Sequence, residues 1–245
     1  FIAGRVVGAA GKRAGERAFG GWAAGPERLS LPPRPRPGPQ VLLVDRPGAP
    51  QATFSIAYPA PNAGTPGDIP MRVSNALLGG SFSSRITRNI REAKGYTYSP
   101  GSSLAFYPAN AVWTFNADVT TAVTGPALKE VFHEIRTLQA TAPGDEEAAG
   151  MRQYMAGLFV IQNSTPGALV GSLATRDSLG LPRDWMDRYV PATLAVTPAQ
   201  ISEAAKNLPI DKLTLVVVGD LKVVTPQLQE LPELKGIEFK TVTVP

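Results

Sequence analysis

Arg91 and Tyr98 are the two residues of this sequence whose types and spacing best suit chemistry on a peptide. The guanidinium of an arginine offers fixed hydrogen-bond donors to a carbonyl oxygen. The phenol of a tyrosine can donate to an oxygen that gains negative charge during acyl transfer. Together the two groups could hold a peptide and stabilise a tetrahedral oxyanion. The residue types alone leave a structural alternative open, in which Arg91 caps helix carbonyls and Tyr98 packs on a sheet.

Two helices separated by a glycine corner are predicted to lead up to this pair. Gly79 and Gly80 interrupt the first helical pattern, and Ile86 and Ile90 give the second an inner face. Three serines can accept a backbone N–H and cap the start of the second helix: Ser81, Ser83 and Ser84. The second helix therefore carries Arg91 in its last turn.

Gly95 is predicted to end the second helix, because glycine adopts the left-handed conformation there without steric cost. Lys94 in the last turn suits the helix dipole. From Tyr96 onward the side chains alternate as in a strand, so Tyr96 is predicted to point to the same face as Tyr98. Arg91 and Tyr98 should therefore flank a single turn and reach the same extended ligand.

His133 is the single histidine, and the sequence contains no cysteine. A zinc protease motif of the H-x-x-E-H or H-E-x-x-H kind needs two imidazoles. A Ser-His-Asp triad would need this one histidine, and no serine lies in a G-x-S-x-G turn. Disulfides, thiolate metal sites and cysteine nucleophiles are excluded as well. We therefore predict no metal site in this chain and no hydrolysis by the chain unaided.

The positive charge of the chain is concentrated near its N-terminus. The chain has 245 residues and a net charge of +4. Residues 1–46 hold eight Arg and Lys against three Asp and Glu, without interleaved aromatic residues, which favours a solvated basic arm over nucleic-acid binding. No apolar run approaches the roughly 20 residues that span a bilayer, so no membrane insertion is predicted.

The first 39 residues are predicted to form a tail and a linker ahead of one large unit. A strand is predicted at residues 1–7 and a helix at residues 9–19, and this order weakly resembles the apolar strand, Gly219 and helix near the end of the chain. Residues 31–39 are rich in proline and should form a stiff, extended connector. The prediction is that residues 1–30 end a preceding half and residues 40–245 form one further half.

Alternation and capping signals predict an ordered series of strands and helices in this half. Strands are predicted at residues 41–45, 52–58, 96–107, 111–119, 213–219 and 238–244, the third and fourth as a hairpin turned at residues 108–110. Helices are predicted at residues 124–138, 145–162, 183–189, 198–207 and 225–231, with a further helix capped by Thr165. This order is typical of one sheet covered by helices.

The stretch around Arg91 and Tyr98 also carries a family resemblance. L-G-G-S-F-S-S-R-I at residues 78–86 and I-R-E-A-K-G-Y-T-Y-S at residues 90–99 resemble the second, metal-free half of the insulinase-like zinc peptidases, the family of pitrilysin and mitochondrial processing peptidase. D-R-P-G-A-P-Q at residues 45–51, F-G-G-W at 19–22 and V-V-V-G-D at 216–220 support it. The similarity extends over nearly the whole chain.

The resemblance implies an α+β fold: a mixed, largely antiparallel sheet with helices packed on one face, in two pseudo-repeated subdomains. In such proteins two homologous halves close around an unfolded peptide. One half carries H-x-x-E-H and zinc, and the other contributes an Arg and a Tyr seven residues apart, which is the spacing of Arg91 and Tyr98. The corner Gly79-Gly80-Ser81 resembles a shorter form of the glycine-rich loop that touches substrate, and Tyr96 could share the role of Tyr98.

The resemblance therefore predicts a non-catalytic half or subunit of a zinc endopeptidase, with zinc in a partner that carries H-x-x-E-H. The alternative is a catalytically dead structural or binding subunit of a larger assembly. The sequence leaves open whether the partner is a separate chain or a missing N-terminal half. The absence of cysteine suits periplasm and cytoplasm equally, and the resemblance to exported bacterial relatives favours the periplasm.

Overall fold

One mixed sheet organises the described part of the chain. The structure is a computed structural model and describes residues 1–5, 7–26 and 38–243. The sheet contains six strands among these residues: β1 Gln40–Asp45, β2 Gln51–Ala60, β3 Gly101–Tyr107, β4 Asn110–Thr120, β5 Thr214–Gly219 and β6 Phe239–Thr241. Their spatial order is β3-β4-β2-β5-β1-β6.

The sheet is antiparallel on one side and parallel on the other. β3, β4, β2 and β5 pair antiparallel in succession, whereas β1 pairs parallel with both β5 and β6. Three of the five pairings are therefore antiparallel. The predicted α+β class with a mixed, largely antiparallel sheet is confirmed.

Eight α-helices and two π-helical segments occur in the described residues. The α-helices are α1 Gly8–Phe19, α2 Asp68–Asn75, α3 Thr124–Ala140, α4 Asp145–Gln162, α5 Pro166–Ser178, α6 Trp185–Leu194, α7 Pro198–Ala205 and α8 Leu221–Gln229. The first π-helical segment, Ala76–Gly80, continues α2, and the second, Thr87–Ala93, carries Arg91. Short 3₁₀ turns lie at Thr121–Val123, Ile210–Lys212 and Pro232–Leu234. No helix in these ranges is long and apolar enough to cross a membrane.

The core lies between one face of the sheet and the helices. Alternate residues of β2 and β4 are buried, and their aromatic rings stack across the strands, with the centroids of Phe54 and Phe115 5.9 Å apart. The inner face of α3 supplies further fully buried residues, including Phe132. The opposite face of the sheet is less buried and carries polar side chains on β2 and β4, such as Thr53, Asn116 and Asp118.

Several predicted elements have the expected bounds. The helix predicted at residues 145–162 is α4, and Thr165 caps α5 by accepting the N–H of Ala168. The hairpin of β3 and β4 turns where predicted. α8 begins four residues earlier than predicted, at Leu221, because the Asp220 side chain accepts the N–H of Lys222 and starts the helix there.

Two strand predictions are wrong. Residues 1–5 and Val7 form no strand and pair with no strand of the described chain. The predicted strand from Tyr96 onward begins only at Gly101, because Pro100 has no N–H for a ladder hydrogen bond. Before Gly101 a single bridge joins Thr97 to Val119. The predicted linker falls mainly on residues 31–37, which lie outside the described residues, and the predicted domain division stays a prediction.

Candidate functional site

An open cleft brings Arg91 and Tyr98 together beside the end of the sheet. The cleft has a volume of about 320 Å³. Its walls are the end of the first π-helical segment, the loop at residues 81–82, Thr87 and Arg91 from the second segment, and residues 98–102 leading into β3. Three consecutive elements of the chain therefore meet at one small surface.

The guanidinium of Arg91 lies against two aromatic rings. Its Cζ is 4.5 Å from the ring centroid of Phe82 and 5.0 Å from that of Tyr98. These distances are within the range of cation–π attraction. Arg91 forms no salt bridge or side-chain hydrogen bond with the residues that the structure describes. Its N–H donors are therefore left for a ligand, while the rings restrict its position.

Tyr98 stands on the open side of the sheet. Thr97, its neighbour, bridges to Val119 on β4, is buried, and donates a hydrogen bond of 2.7 Å from its hydroxyl to the Asp118 carbonyl. Successive side chains of an extended backbone point in opposite directions. Tyr98 is accordingly 80% exposed, and its ring forms a wall of the cleft.

Gly79 and Gly80 are required by close packing at the corner. A Cβ on Gly79 would come within 2.7 Å of the Ser102 hydroxyl oxygen, and one on Gly80 would come within 2.5 Å of the Asn75 side-chain nitrogen. Asn75 holds this corner against the sheet, because its Oδ1 accepts hydrogen bonds from Ser102 Oγ at 2.7 Å and from Trp113 Nε1 at 2.8 Å. The corner, β3 and β4 are thus joined through one side-chain oxygen.

Ser81 places a hydroxyl in the wall of the cleft. The residue is only 7% exposed, and its Oγ has no hydrogen-bond partner among the described residues. A buried hydroxyl without a partner is costly in free energy. A ligand in the cleft could supply the missing partner.

The helix that carries Arg91 is fixed at both ends. The N–H of Thr87 lies 3.4 Å from Ser84 Oγ, so Ser84 is the cap among the three predicted serines. Gly95 has φ +65° and ends the helix in the left-handed conformation, as predicted. Between these ends, Asn89 donates to Glu130 and Glu134 of α3, at 3.0 and 2.7 Å.

An ion pair ties the start of the same helix to α4. Arg85 donates to both carboxylate oxygens of Glu147, at 2.9 and 2.6 Å. These hydrogen bonds lower the pKa of the Glu147 carboxyl from its ordinary value, against the opposing effect of partial burial. The backbone of Arg91 is therefore anchored to two long helices, while its side chain reaches into the cleft.

The cleft contains five of the six predicted site residues: Arg91, Tyr98, Gly79, Gly80 and Ser81. Tyr96 is absent from it. Tyr96 lies at a bend directly after Gly95, so it does not alternate with Tyr98 and instead packs, partly buried, against the core. The cleft geometry gives no support for a shared role of the two phenols.

Sequence reasoning missed Phe82, Asn75 and Ser102. Phe82 lies among serines and is 69% exposed, and an exposed aromatic residue next to a predicted site is a signal that could have identified it. Asn75 and Ser102 are 27 positions apart and make contact only in the fold. No local pattern could have indicated that contact.

The described residues do not fit a zinc ion. They contain no group of three or more His, Cys, Asp or Glu side chains that could hold a metal. His133 lies in a separate open groove with Arg85, Arg88 and Glu134. We therefore assign no chemical step to a metal ion bound by this chain.

Two features define the class of protein. The first is a mixed sheet that is covered by helices on one face, and the second is a cleft beside the edge of the sheet that contains an arginine and a tyrosine. The sequence model described as the peptidase M16 inactive domain matches residues 1–155, which is more than half of the chain. The chain belongs to this family of inactive domains. A search of curated proteins found no match.

Solved structures share the fold at low sequence identity. A peptidase M16 inactive domain from Pseudomonas fluorescens is 19% identical with a TM-score of 0.80, covering 87% of this chain and 52% of that one. A protease from Helicobacter pylori is 16% identical with a TM-score of 0.77, covering 87% and 53%. The periplasmic protease PqqL from Escherichia coli is 15% identical with a TM-score of 0.58, covering 74% and 20%. The chain thus spans about half the length of the first two.

Proposed function

We propose that this chain is the non-catalytic half of a two-part zinc endopeptidase and supplies Arg91 and Tyr98 to a site completed by a homologous half. The observation that carries the proposal is the cleft itself. It contains an arginine without an ionic partner among the described residues and a tyrosine that is 80% exposed, in contact with each other. The separate spans of chain that meet there have no other evident reason to expose these groups.

Arg91 is proposed to bind a backbone carbonyl of the substrate peptide. Phe82 and Tyr98 contact the guanidinium and restrict its position, which leaves its N–H donors available to the peptide. Tyr98 is proposed to donate its phenolic proton in a hydrogen bond to the oxyanion that forms at the scissile carbonyl. The homologous half, carrying H-x-x-E-H, would supply zinc-activated water and a general base.

The glycine corner and the open sheet face are proposed to touch the same extended peptide. Gly79 and Gly80 place backbone in the wall of the cleft, and the unpartnered hydroxyl of Ser81 offers a donor or an acceptor. The polar side chains on the open face, including Thr53 and Asn116, would form one wall of a closed chamber. Tyr96 has no part in the proposal, since it packs on the core.

The periplasm is the proposed compartment. A structural relative from Escherichia coli is a periplasmic protease, and the absence of cysteine from this chain is compatible with that environment.

The proposal is tested by recovering the complex that the tagged chain forms in its native source. We expect a homologous partner with H-x-x-E-H and cleavage of an unfolded, dye-labelled peptide by the complex. Tyr98→Phe should lower kcat by about 100- to 1,000-fold, as for loss of an oxyanion donor. Arg91→Ala should lower kcat/KM by about 10- to 100-fold, since a hydrogen bond to a charged group contributes about 1.5–3 kcal/mol.

Two variants outside the cleft serve as matched controls. Tyr107→Phe changes an exposed phenol at the far end of β3, and Arg183→Ala changes an exposed arginine that forms no salt bridge with the described residues. Both should cleave at the wild-type rate. Equal activity of Tyr98→Phe, Arg91→Ala and wild type would contradict the proposed roles. A complex without any H-x-x-E-H partner would instead favour the structural or binding subunit.

A further inference from the structure

A second cavity lies between α5 and a cluster of aromatic side chains, and it shares no lining residue with the Arg91–Tyr98 cleft. Its volume is about 510 Å³, within the usual range of small-molecule sites. One wall consists of four rings: Phe106 from β3, Phe159 from α4, and Trp185 and Tyr189 from α6. We call it the aromatic cavity.

The aromatic wall is ordered by its own contacts. The rings of Phe159 and Tyr189 are stacked with centroids 4.3 Å apart, and those of Trp185 and Tyr189 are 5.3 Å apart. Aromatic pairs at these separations attract each other beyond simple burial. The wall is therefore preformed and presents a flat apolar surface to a ligand that enters the cavity.

The charged groups at the wall are neutralised. The Arg72 guanidinium stacks on Phe106 at 3.9 Å and donates to the buried carboxylate of Asp68 at 2.6 Å. Burial raises the pKa of the Tyr189 phenol, which keeps it uncharged near neutral pH. The wall consequently favours a neutral ligand.

The opposite wall leaves space. α5 contributes small residues to it, including Ala168, Gly171 and Ser172, and no residue of α5 is buried. A Cβ placed on Gly171 would meet no atom within 4 Å. The helix therefore covers the aromatic cluster without filling the volume between them.

Asn163 lines the cavity and carries one unused acceptor. Its Nδ2 donates to the Phe159 carbonyl at 2.8 Å, which fixes the orientation of the amide. Its Oδ1 is buried and accepts no hydrogen bond from any residue that the structure describes. A buried acceptor of this kind calls for an N–H or O–H donor.

We propose that the aromatic cavity binds a flat, neutral aromatic group that bears an N–H donor, with the rings stacking on its faces and Asn163 Oδ1 accepting its hydrogen. An indole has this chemistry, either as a free compound or as a tryptophan side chain of a peptide. The proposal is independent of any role in peptide cleavage.

The test compares indole with 1-methylindole, which has the same ring but no donor. Binding is followed in the isolated chain by the shift of the Trp185 side-chain N–H resonance in ¹H–¹⁵N spectra. We expect indole to bind about fivefold more tightly, the factor that corresponds to one net hydrogen bond. Asn163→Ala should remove this preference, with indole falling to the affinity of 1-methylindole.

A pair of glycine variants tests the location. Gly171→Leu puts a side chain into the aromatic cavity and should reduce the affinity for indole at least tenfold. Gly150→Leu on α4 is the matched control, because Gly150 is also a helical glycine with no atom within 4 Å of its Cβ position but does not line the cavity. Its affinity should equal that of the wild type. Both variants should retain the wild-type circular dichroism.

A third measurement distinguishes the two sources of the ring. Tighter binding of a short peptide with one tryptophan than of indole would assign the cavity to a peptide side chain. Binding of indole alone would assign it to a free compound. Equal binding of indole and 1-methylindole to the wild type, or undiminished binding to folded Gly171→Leu, would overturn the proposal.

Discussion

Arg91 differs from the other arginines of the cleft region in how its charge is used. Arg85 donates hydrogen bonds to Glu147, whereas Arg91 contacts the faces of Phe82 and Tyr98. Contact with aromatic faces restrains a guanidinium without occupying its N–H groups. A side chain held in this way would bind the proposed peptide carbonyl with little further ordering.

Phe82→Ala should weaken substrate binding without unfolding the protein. The variant removes one of the two rings on Arg91, and an exposed cation–π contact contributes about 0.5–1 kcal/mol. KM of the assembled peptidase should therefore rise about two- to fivefold, while the urea midpoint changes little because the ring is 69% exposed. Tyr154→Ala, another exposed aromatic residue, is the control on α4. An unchanged KM would show that Phe82 does not position Arg91.

The spacing of Arg91 and Tyr98 was readable from the sequence because a helix end, a glycine and the extended residues after it are all local features. The glycine corner was readable for the same reason. Ser102 and Asn75 were not, since they approach the corner only after β3 pairs with β4. Local patterns therefore predicted which residues line the cleft, and tertiary contacts decide what holds them.

At the scale of elements, the helix that contains the second π-helical segment is tied to α4 by Arg85 and Arg88, which both pair with Glu147. Glu147→Gln should lower the free energy of unfolding at pH 7 by about 0.5–1 kcal/mol, a value reduced for partial exposure of the pair. The folded-state pKa of Glu147 lies below its unfolded value. The stabilisation is therefore present above about pH 4.3 and is lost as pH falls through the lowered pKa.

Urea unfolding of wild type and Glu147→Gln at pH 7 and at lower pH checks this sign, since the difference in stability between the two proteins should narrow as the pH falls. Glu146→Gln is the matched control, because Glu146 lies in the same first turn of α4 and forms no ion pair with the described residues. The Glu146→Gln variant should show the same change in stability between pH 7 and the lower pH as the wild type. A difference in stability between wild type and Glu147→Gln that stays the same size at every pH would contradict the proposed ion-pair contribution.

Asn75 joins the glycine corner to two strands, and its loss should be costly. Asn75→Ala removes the acceptor for Ser102 and for the indole N–H of the fully buried Trp113. An unsatisfied buried donor costs about 1–3 kcal/mol, which should appear as a lower urea midpoint. Ser103→Ala, at an exposed hydroxyl that bonds only to Thr114, should cost less than about 0.5 kcal/mol. Equal stability of the two variants would contradict this role of Asn75.

Elements with strong local signals were predicted closely. α4 begins with three acidic residues, and α7 starts with a capping box between Thr197 and Gln200, so both starts were visible in the sequence. The strand predicted at residues 1–7 failed because apolar character alone does not provide a neighbouring strand. The late start of β3 followed from Pro100, whose effect on the ladder outweighs the alternation of the tyrosines.

At the scale of the whole molecule, the N-terminal segment is unusual in the apolar surface that it leaves exposed. Among residues 1–5 and 7–26, five large apolar side chains are more than half exposed: Phe1, Ile2, Val7, Phe19 and Trp22. The chain spans about half the length of its first two structural relatives. Phe19 and Trp22 contact each other there, and contiguous exposed apolar groups mark interaction surfaces. We therefore propose that this segment docks on the homologous half.

The double variant Phe19→Ser/Trp22→Ser should weaken that association. The ring centroids are 5.0 Å apart in an edge-to-face arrangement, and the side chains are 58% and 75% exposed, so they form one exposed apolar projection. Burying two such side chains contributes about 3 kcal/mol or more, so the dissociation constant for the H-x-x-E-H half should rise at least about 100-fold. The urea midpoint of the isolated chain should stay constant, because neither ring belongs to its core.

Val160→Ser/Ile161→Ser, which alters two exposed apolar residues of α4, should associate like the wild type. Undiminished association of the Phe19→Ser/Trp22→Ser variant would place the docking surface elsewhere on the chain.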